Sequence, residues 1–181
     1  MRVGVLGIGG LGHIAVRFAV AMGAEVVAIS HSPSKRDLCL KELGAHAFLD
    51  TSDKAAMKKS RKSLHVLLNT VSASIEWDPL LQLLKPRGEL RTVGVPPAPG
   101  LVNFNGNRLM AGVSISGSLI GSPSEIAEML DFCVKHKIAC MTETLPLEQT
   151  DAAVERVRQG LPRFRIVLEM PTDATGPASK L

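Results

Sequence analysis

Short apolar runs alternate with longer mixed segments along the whole chain. Residues 3–6 form an apolar run typical of a buried strand, and residues 14–22 are apolar on nearly every side, broken by Arg17. A helix of that kind is expected to pack against a sheet. A second apolar run over residues 25–29 completes a predicted strand–helix–strand unit.

The same alternation continues to residue 169 and predicts an α/β fold with a doubly wound parallel sheet. Further strands are predicted over residues 47–49, 64–68, 89–93, 113–120, near 143 and over 165–169. Further helices are predicted over residues 34–43, from 51 onward, and over 75–84, 122–136 and 147–159. Residues 85–88 are predicted to form a turn and residues 96–100 a loop.

Glycines lie between the first predicted strand and the first predicted helix. Gly7, Gly9 and Gly12 have G-x-G-x-x-G spacing, with an extra Gly10. The first would allow a tight turn, the second would let the backbone approach a pyrophosphate, and the third would let the helix pack close to the strand. The alternative is an ordinary glycine-rich turn. Within a strand–helix–strand unit, the spacing favours a dinucleotide whose phosphates lie at a helix N-terminus.

This motif makes the predicted sheet a Rossmann fold with strand order 3-2-1-4-5-6. We expect a Rossmann domain over residues 1–140, a C-terminal α/β segment over residues 141–170 and a disordered tail over residues 171–181.

The residues after the second strand favour NADP over NAD. NAD-binding domains usually place a carboxylate there, whereas this chain has Ser30, followed by His31, Ser32 and Lys35. Hydroxyls beside cations would bind a 2′-phosphate through charge-assisted hydrogen bonds, whereas a carboxylate would repel it. The alternative is that residues 32–34 only cap a helix.

Composition argues against nucleic-acid and membrane partners. The net charge is +4, but only 3% of residues are aromatic and none is tyrosine, so few side chains could stack on bases. The basic run over residues 54–62 is more typical of a solvated helix face. Charged residues interrupt every apolar run that approaches the length of a membrane span, and we expect no secretory signal.

The cysteines and histidines show no metal-ligand spacing. Cys39, Cys133 and Cys140 are odd in number and far apart, which favours reduced thiols in an intracellular compartment. The histidines are scattered along the chain at His13, His31, His46, His65 and His136. We therefore predict no metal site.

Together these residues resemble the cofactor domain of zinc-dependent medium-chain alcohol dehydrogenases. The most similar branch is that of the cinnamyl-alcohol-dehydrogenase-like, NADPH-dependent aldehyde reductases. The matching segments are GIGGLGH (7–13), AIS-x-SPSKR (28–36), LGA (43–45), LLNTV (67–71), LLKPRGEL-x-TVGVP (83–96), ISGSLIGS (115–122), EMLDFC (128–133) and RFRIVLE (163–169). They cover nearly the whole chain up to the tail, in the family's order.

The resemblance implies a set of NADP(H)-binding residues in several turns. They are Gly7, Gly9, Gly10, Leu11 and Gly12 at the pyrophosphate; Ser30, His31, Ser32 and Lys35 at the 2′-phosphate; Thr70, Val71, Val93, Gly94, Val95, Ser116, Gly117 and Ser118 around the nicotinamide; and Arg163 at a cofactor phosphate. The alternative for Arg163 is a surface cation beside a strand.

The chain departs from the family by lacking its zinc-binding half. Full-length members carry, before this domain, a catalytic domain with one catalytic zinc and one structural zinc, and they transfer hydride between NADPH and an alcohol/aldehyde pair. With no zinc to polarise a carbonyl, this chain alone is expected to bind cofactor but not to catalyse, and no catalytic residue is predicted. Residues 142–169 normally pack on the missing domain, so we expect an exposed apolar face there.

Two non-catalytic alternatives stay open beside this expectation. The chain would be an NADPH-binding pseudoenzyme or a dimerisation partner, and a zinc-free quinone reductase is a weaker third possibility. In the family, the strand corresponding to residues 115–119 pairs with its twin across a dimer axis, so we expect a homodimer through this edge.

The chain ends on Ser179, Lys180 and Leu181. A C-terminal S-K-L is a receptor-read peroxisomal address. It predicts a eukaryotic protein of the peroxisome or a related organelle such as the glycosome; without it we would expect the cytoplasm. It also favours an authentic C-terminus, with the missing half on the N-terminal side.

Overall fold

A parallel sheet forms the centre of the first part of the chain in a computed structural model that describes residues 1–95, 97 and 102–171. Its strands are β1 (Arg2–Leu6), β2 (Glu25–Ser30), β3 (Ala47–Asp50), β4 (Leu64–Asn69), β5 (Leu84–Thr92) and β6 (Ser114–Gly117). All neighbours are parallel, in the order β3-β2-β1-β4-β5-β6. The predicted doubly wound topology is therefore confirmed, and the strand order reverses between β1 and β4.

The central strands are apolar on both faces, which explains their continuous apolar runs. In β1 and β2, nearly every residue is buried. Helices lie on a parallel sheet's faces, so its inner strands have no solvent side and show no alternation. The helices of this part are α1 (Gly12–Ala21), α2 (Lys54–Lys59), α3 (Trp77–Leu81) and α4 (Pro123–His136).

Local residue chemistry sets the ends of the two longer helices. α1 stops before Gly23, whose φ of 78° is left-handed and favours glycine. α4 starts with a capping box, in which the Ser122 side chain accepts from the Glu125 N–H and the Glu125 side chain accepts from the Ser122 N–H. Phe132 of α4 stacks on Phe18 of α1 with ring centroids 5.7 Å apart, so the two helices are neighbours.

The predicted helix over residues 34–43 is confirmed as a helical segment, but its helix type changes along its length. It begins with a 3₁₀ turn, Pro33–Lys35, and ends with a π-helical turn, Leu38–Glu42. Leu38 and Cys39, at the start of the π-helical turn, are both buried. The sequence therefore predicts a helix here but not its type.

The predicted turn over residues 85–88 is wrong. β5 runs through these residues, because Leu84 pairs with Leu64 of β4 and Glu89 pairs with Val66. The four intervening residues oppose a single residue of β4 and form a bulge, with Arg87 at φ 62°. A sequence typical of a turn is therefore accommodated within the strand.

Two other elements are shorter than predicted. α3 covers Trp77–Leu81 instead of residues 75–84, and β6 covers Ser114–Gly117 instead of residues 113–120. Most of the predicted loop, at residues 96 and 98–100, lies outside the described residues, as does the predicted tail from residue 172 onward.

A second compact unit begins at Cys140. Its two strands, β7 (Thr142–Pro146) and β8 (Arg165–Glu169), are parallel, and α5 (Thr150–Arg158) lies between them in sequence. Glu143 of β7 connects three segments of this unit. Its carboxylate accepts from Arg156 of α5 at 2.6 Å and from the Arg163 N–H, before β8, at 2.7 Å. Val154, Val157 and Leu161 leave apolar side chains exposed here.

Cys39, Cys133 and Cys140 are free cysteines, and burial raises the pKa of the Cys39 thiol to about 11. Within the described ranges, no helix has both the length and the apolar character that crossing a membrane requires.

Candidate cofactor-binding site

The turn between β1 and α1 is crowded at two glycines and open at the third. Gly7 has φ 86°, and a Cβ built on it would lie 2.5 Å from Cγ2 of Val71. A Cβ on Gly12 would overlap the carbonyl oxygen of Gly7, so the helix packs directly on the turn. A Cβ on Gly9 would meet no atom within 4 Å. The backbone at Gly9 is therefore open to the close approach of a ligand.

The turn after β4 is bonded to this glycine turn. The Thr70 hydroxyl lies 2.7 Å from the Gly7 carbonyl oxygen and 3.0 Å from that of Leu6, and the Thr70 N–H also donates to Leu6. Thr70 is therefore bonded to the backbone of the glycine turn, and its predicted position near the nicotinamide stays a prediction. Gly10 and the exposed Leu11 complete this turn before α1 begins.

The buried His13 belongs to the glycine turn, as its position in the sequence suggests. Its ring Nδ1 lies 2.9 Å from the Gly9 carbonyl oxygen, and its backbone N–H donates to the same oxygen at 3.1 Å. Because of these two contacts, the Gly9 carbonyl oxygen takes part in the first turn of α1. The N–H groups at the start of α1 are the ones that could bind a phosphate.

A cavity of about 440 Å³ opens at the carboxyl ends of the first four strands. Of the predicted residues it brings together Gly7, Ser30, His31 and Val71. Its other walls are Leu6, Thr51, Met57, Ala73, Ser74, Ile75, Glu76, Pro79 and Leu80, which sequence reasoning did not identify. This is the crevice where doubly wound sheets bind ligands.

The segment after β2 has its polar groups close to this cavity. Ser30 is buried, and its hydroxyl oxygen accepts from the Ser32 N–H at 3.1 Å. Ser32 directly precedes the 3₁₀ turn, but its side chain makes no capping hydrogen bond, which weakens the alternative that it is only a cap. Lys35 reaches back to the glycine turn, where its Nζ donates to the Ile8 carbonyl oxygen at 2.7 Å.

A second cavity of about 360 Å³ lies at the carboxyl ends of β5 and β6. Five residues predicted for the nicotinamide end line it, together with Thr92 and Leu119: Val93, Gly94, Val95, Gly117 and Ser118. The backbone is tightly packed here, because a Cβ on Gly94 would overlap the carbonyl oxygen of Val71.

Ser116 is not among the residues that line either cavity. Its hydroxyl donates to the Glu89 carboxylate at 2.6 Å, and Arg91 contacts both groups. These hydrogen bonds, that from Ser116 first, hold the pKa of Glu89 below its usual range. The predicted contact between Ser116 and the nicotinamide stays a prediction.

A buried amide connects the ends of β4 and β5. The Asn69 side chain donates to the Thr92 hydroxyl at 3.2 Å and accepts from the Val71 N–H at 3.0 Å. The Thr92 hydroxyl in turn donates to the Gly94 carbonyl oxygen at 3.1 Å. Sequence reasoning missed Asn69 and Thr92, although Asn69 directly follows the predicted strand over residues 64–68 and Thr92 is the second-last residue of the predicted strand over residues 89–93.

Arg163 lies in the second unit, where its N–H donates to Glu143, so its contact with a cofactor phosphate stays a prediction.

Among the residues that the structure describes, no group of three or more His, Cys, Asp or Glu side chains could hold a metal ion. These residues therefore do not fit the family's catalytic or structural zinc.

The sequence profile described as zinc-binding dehydrogenase matches residues 10–135, from the glycine turn to α4. The chain belongs to this family. Cinnamyl alcohol dehydrogenase 7 of Oryza sativa subsp. japonica is 40% identical over 170 residues, covering 93% of this chain and 44% of the relative. The chain spans about half the length of the curated relatives it matches.

Solved structures of the family have the same fold. A cinnamyl alcohol dehydrogenase of Sorghum bicolor superposes with a TM-score of 0.87 at 37% identity, over 97% of this chain and 49% of that one. A cinnamyl alcohol dehydrogenase of Helicobacter pylori, solved in complex with NADP(H), superposes with a TM-score of 0.78 at 28% identity, over 97% and 49%. The resemblance to the cofactor domain of zinc-dependent alcohol dehydrogenases is thereby confirmed.

Proposed function

We propose that this chain binds NADP(H) with the pyrophosphate over the glycine turn. The open backbone at Gly9, set between the crowded Gly7 and Gly12, carries the proposal. In a turn between a strand and a helix of a Rossmann fold, free space at the second glycine lets the backbone approach a pyrophosphate closely. The N–H groups at the start of α1 supply donors and a favourable dipole for the phosphates.

The adenosine half would occupy the larger cavity, with its 2′-phosphate near Ser30 and Ser32. Both residues carry hydroxyls, and Lys35 contributes positive charge on the same segment. The nicotinamide would lie at the second cavity, between the backbone of residues 93–95 and that of Gly117 and Ser118. When bound, NADPH supplies a hydride. The residues of this chain bind NADPH and orient its nicotinamide ring.

In a full-length protein, the chain would serve as the cofactor half of an alcohol dehydrogenase or aldehyde reductase. Its relatives are about twice as long, and the described residues do not fit a zinc site. A carbonyl substrate would need the polarising metal of a second domain. An NADPH-binding protein without catalysis is the alternative that a turnover assay separates from this proposal.

Titration with NADPH and NADH tests cofactor binding directly. Trp77 is the only tryptophan and is buried in α3, and its neighbour Glu76 lines the larger cavity. Because the chain has no tyrosine, the emission of Trp77 reports on a bound dihydronicotinamide by energy transfer. We expect NADPH to bind about tenfold or more tightly than NADH, since a 2′-phosphate adds charge-assisted hydrogen bonds. Equal affinities would refute the 2′-phosphate subsite, and no binding of either nucleotide would refute the function.

Turnover tests whether the chain is incomplete by itself. With NADPH, an aldehyde and added zinc, we expect no oxidation of NADPH above the rate without protein. Sustained turnover by the purified chain would show that no second domain is required.

We also propose the peroxisome or a related organelle as the compartment, on the basis of Ser179, Lys180 and Leu181. These residues lie outside the described part of the chain. A fluorescent protein fused before residue 1 should enter peroxisomes of a eukaryotic cell. The same fusion without Leu181 should stay in the cytosol, and identical distributions would contradict the proposal.

A further inference from the structure

One side chain connects the two phosphate-binding segments. Lys35 follows Ser32 after β2, and its Nζ donates to the carbonyl oxygen of Ile8 at 2.7 Å. Ile8 lies between Gly7 and Gly9, in the centre of the glycine turn. Lys35 lies 27 positions after Ile8, and the residues between them include the whole of α1 and β2, so the contact is made by the fold and not by a local turn.

Both ends of this contact are held in place. The Lys35 N–H donates to the Ser32 carbonyl oxygen at 3.1 Å within the 3₁₀ turn, which Pro33 starts with a fixed φ. The Ser32 N–H is in turn bonded to the Ser30 hydroxyl. On the other side, Ile8 is only 2% exposed, so the residue that carries the carbonyl is packed in the protein.

The bond to Ile8 leaves most of the binding capacity of the lysine available. An ammonium group has three donors, and a backbone carbonyl takes one of them without neutralising the charge. The neighbouring cations are used differently: the Arg36 guanidinium lies 5.9 Å from the centre of the Phe48 ring, and Lys41 pairs with Asp37 at 2.8 Å. Lys35 is thus suited to hold an anion and the glycine turn at once.

We propose that Lys35 couples the two phosphate subsites by bonding to the Ile8 carbonyl and to the 2′-phosphate simultaneously. The inference rests on the proposed function, NADP(H) binding at this turn. It goes beyond a contact with the 2′-phosphate, because a lysine that positions the turn also affects nucleotides that have no 2′-phosphate. By linkage, occupation of either subsite strengthens binding at the other by the same factor.

Three variants separate coupling from simple contact. Lys35→Gln removes the charge and shortens the side chain, and Ser32→Ala removes a 2′-phosphate donor without touching the glycine turn. We expect Lys35→Gln to weaken NADPH binding by about thirtyfold, because the hydrogen bond to the charged 2′-phosphate is lost. NADH binding should weaken by about threefold, because only the bond to the Ile8 carbonyl is lost. Ser32→Ala should weaken NADPH only. Lys35→Arg, which keeps the charge, should recover part of the NADPH affinity.

A second measurement uses the unmodified chain and needs no variant. 2′-AMP supplies the adenosine and the 2′-phosphate, while inorganic pyrophosphate supplies the other anion, so both fit together. We expect saturating 2′-AMP to tighten pyrophosphate binding by about fivefold, and saturating adenosine to leave it unchanged. Calorimetric titration of pyrophosphate gives both values.

The outcomes distinguish this inference from the function it rests on. If the unmodified chain binds neither nucleotide, the proposed function fails and the inference with it. If the chain binds NADPH but Lys35→Gln leaves the NADH affinity unchanged, or 2′-AMP does not affect pyrophosphate, Lys35 contacts the 2′-phosphate alone. The coupling is then overturned and the function stands.

Discussion

The three motif glycines differ in the free space around their Cα atoms. Two of them are needed for packing of the turn, and the third is open to a ligand. Gly12 and Gly7 are required by the packing of the turn, whether or not a ligand is present. Gly9 has open space where a side chain would project, so nothing in the free protein requires glycine there. Substitutions at these positions should therefore affect different properties.

Gly9→Ala should weaken cofactor binding without destabilising the fold. Its Cβ would occupy the space proposed for the pyrophosphate, so we expect the NADPH dissociation constant to rise about tenfold or more. The free energy of unfolding should change by less than about 0.5 kcal/mol. Gly106→Ala is the matched control, since a Cβ there also meets no atom within 4 Å and lies outside both cofactor cavities. Equal NADPH affinity in both variants would contradict the proposed site.

Gly12→Ala should instead destabilise the protein. The added Cβ would overlap the Gly7 carbonyl, so α1 must shift away from the turn. Overpacking of this kind costs about 1–3 kcal/mol, which urea unfolding would detect as a lower midpoint. A midpoint equal to that of Gly106→Ala would show that the helix has room to move.

Between elements, the carboxylate of Glu143 is the main polar link of the second unit. It joins β7 to α5 through Arg156, and to the segment before β8 through the Arg163 N–H. The Arg163 N–H first, and then Arg156, hold the pKa of Glu143 below its ordinary value of 4.5. A lowered folded-state pKa means that the ionised carboxylate favours the folded unit.

The stability of the second unit should therefore fall in acid. The contribution of Glu143 is fully present above pH 4.5, the value of the unfolded chain, and is lost as the pH falls through the lower folded value. Glu143→Gln should lower the protection of amides in residues 142–169 at pH 7 and reduce its dependence on pH below 4.5. Glu148→Gln, an exposed carboxylate of the same unit, is the control. An unchanged acid dependence in Glu143→Gln would assign the effect to other groups.

The sequence predicts an element well where the residues that define its ends lie beside it in the chain. It predicts less well the features that depend on contacts with other elements. The capping box before α4 and the glycine after α1 lie in the sequence beside the helix ends they define. The bulge at residues 85–88 depends on how β5 pairs with β4, which the turn-like residues themselves do not show. Likewise, the sequence predicts a helix over residues 34–43 but does not show that Leu38–Glu42 forms a π-helical turn.

At the scale of the whole molecule, a substitution of Arg163 tests whether the second unit takes part in cofactor binding. The resemblance to the family places it at a cofactor phosphate, and its alternative is a surface cation. We expect Arg163→Gln to weaken NADPH by about tenfold, as loss of a charge-assisted hydrogen bond would. Arg158→Gln in the same unit, whose arginine pairs with Glu155, should leave the NADPH affinity unchanged. Equal affinities in the two variants would favour the surface alternative.

The site was only partly visible from the sequence, because its walls come from segments far apart in the chain. The glycine turn and residues 30–35 were found by motif spacing. Thr51, Met57 and Glu76 line the same cavity but carry no motif, and the fold brings them together from three different loops and helices. Ser116 matches the family pattern, but the sequence did not show its hydrogen bond to Glu89, and its contact with the nicotinamide stays a prediction.

The linear order of apolar runs and glycines was enough to predict the α/β class, the strand order and a dinucleotide turn. These follow from short-range chemistry: buried parallel strands need continuous apolar runs, and a tight turn into a helix needs glycine. Three-dimensional packing alone made Gly9 open and Gly12 crowded, placed Lys35 on the Ile8 carbonyl and engaged Ser116 with Glu89. Such contacts join residues that lie far apart in the chain, so they depend on how whole segments pack together and not on the pattern within either segment.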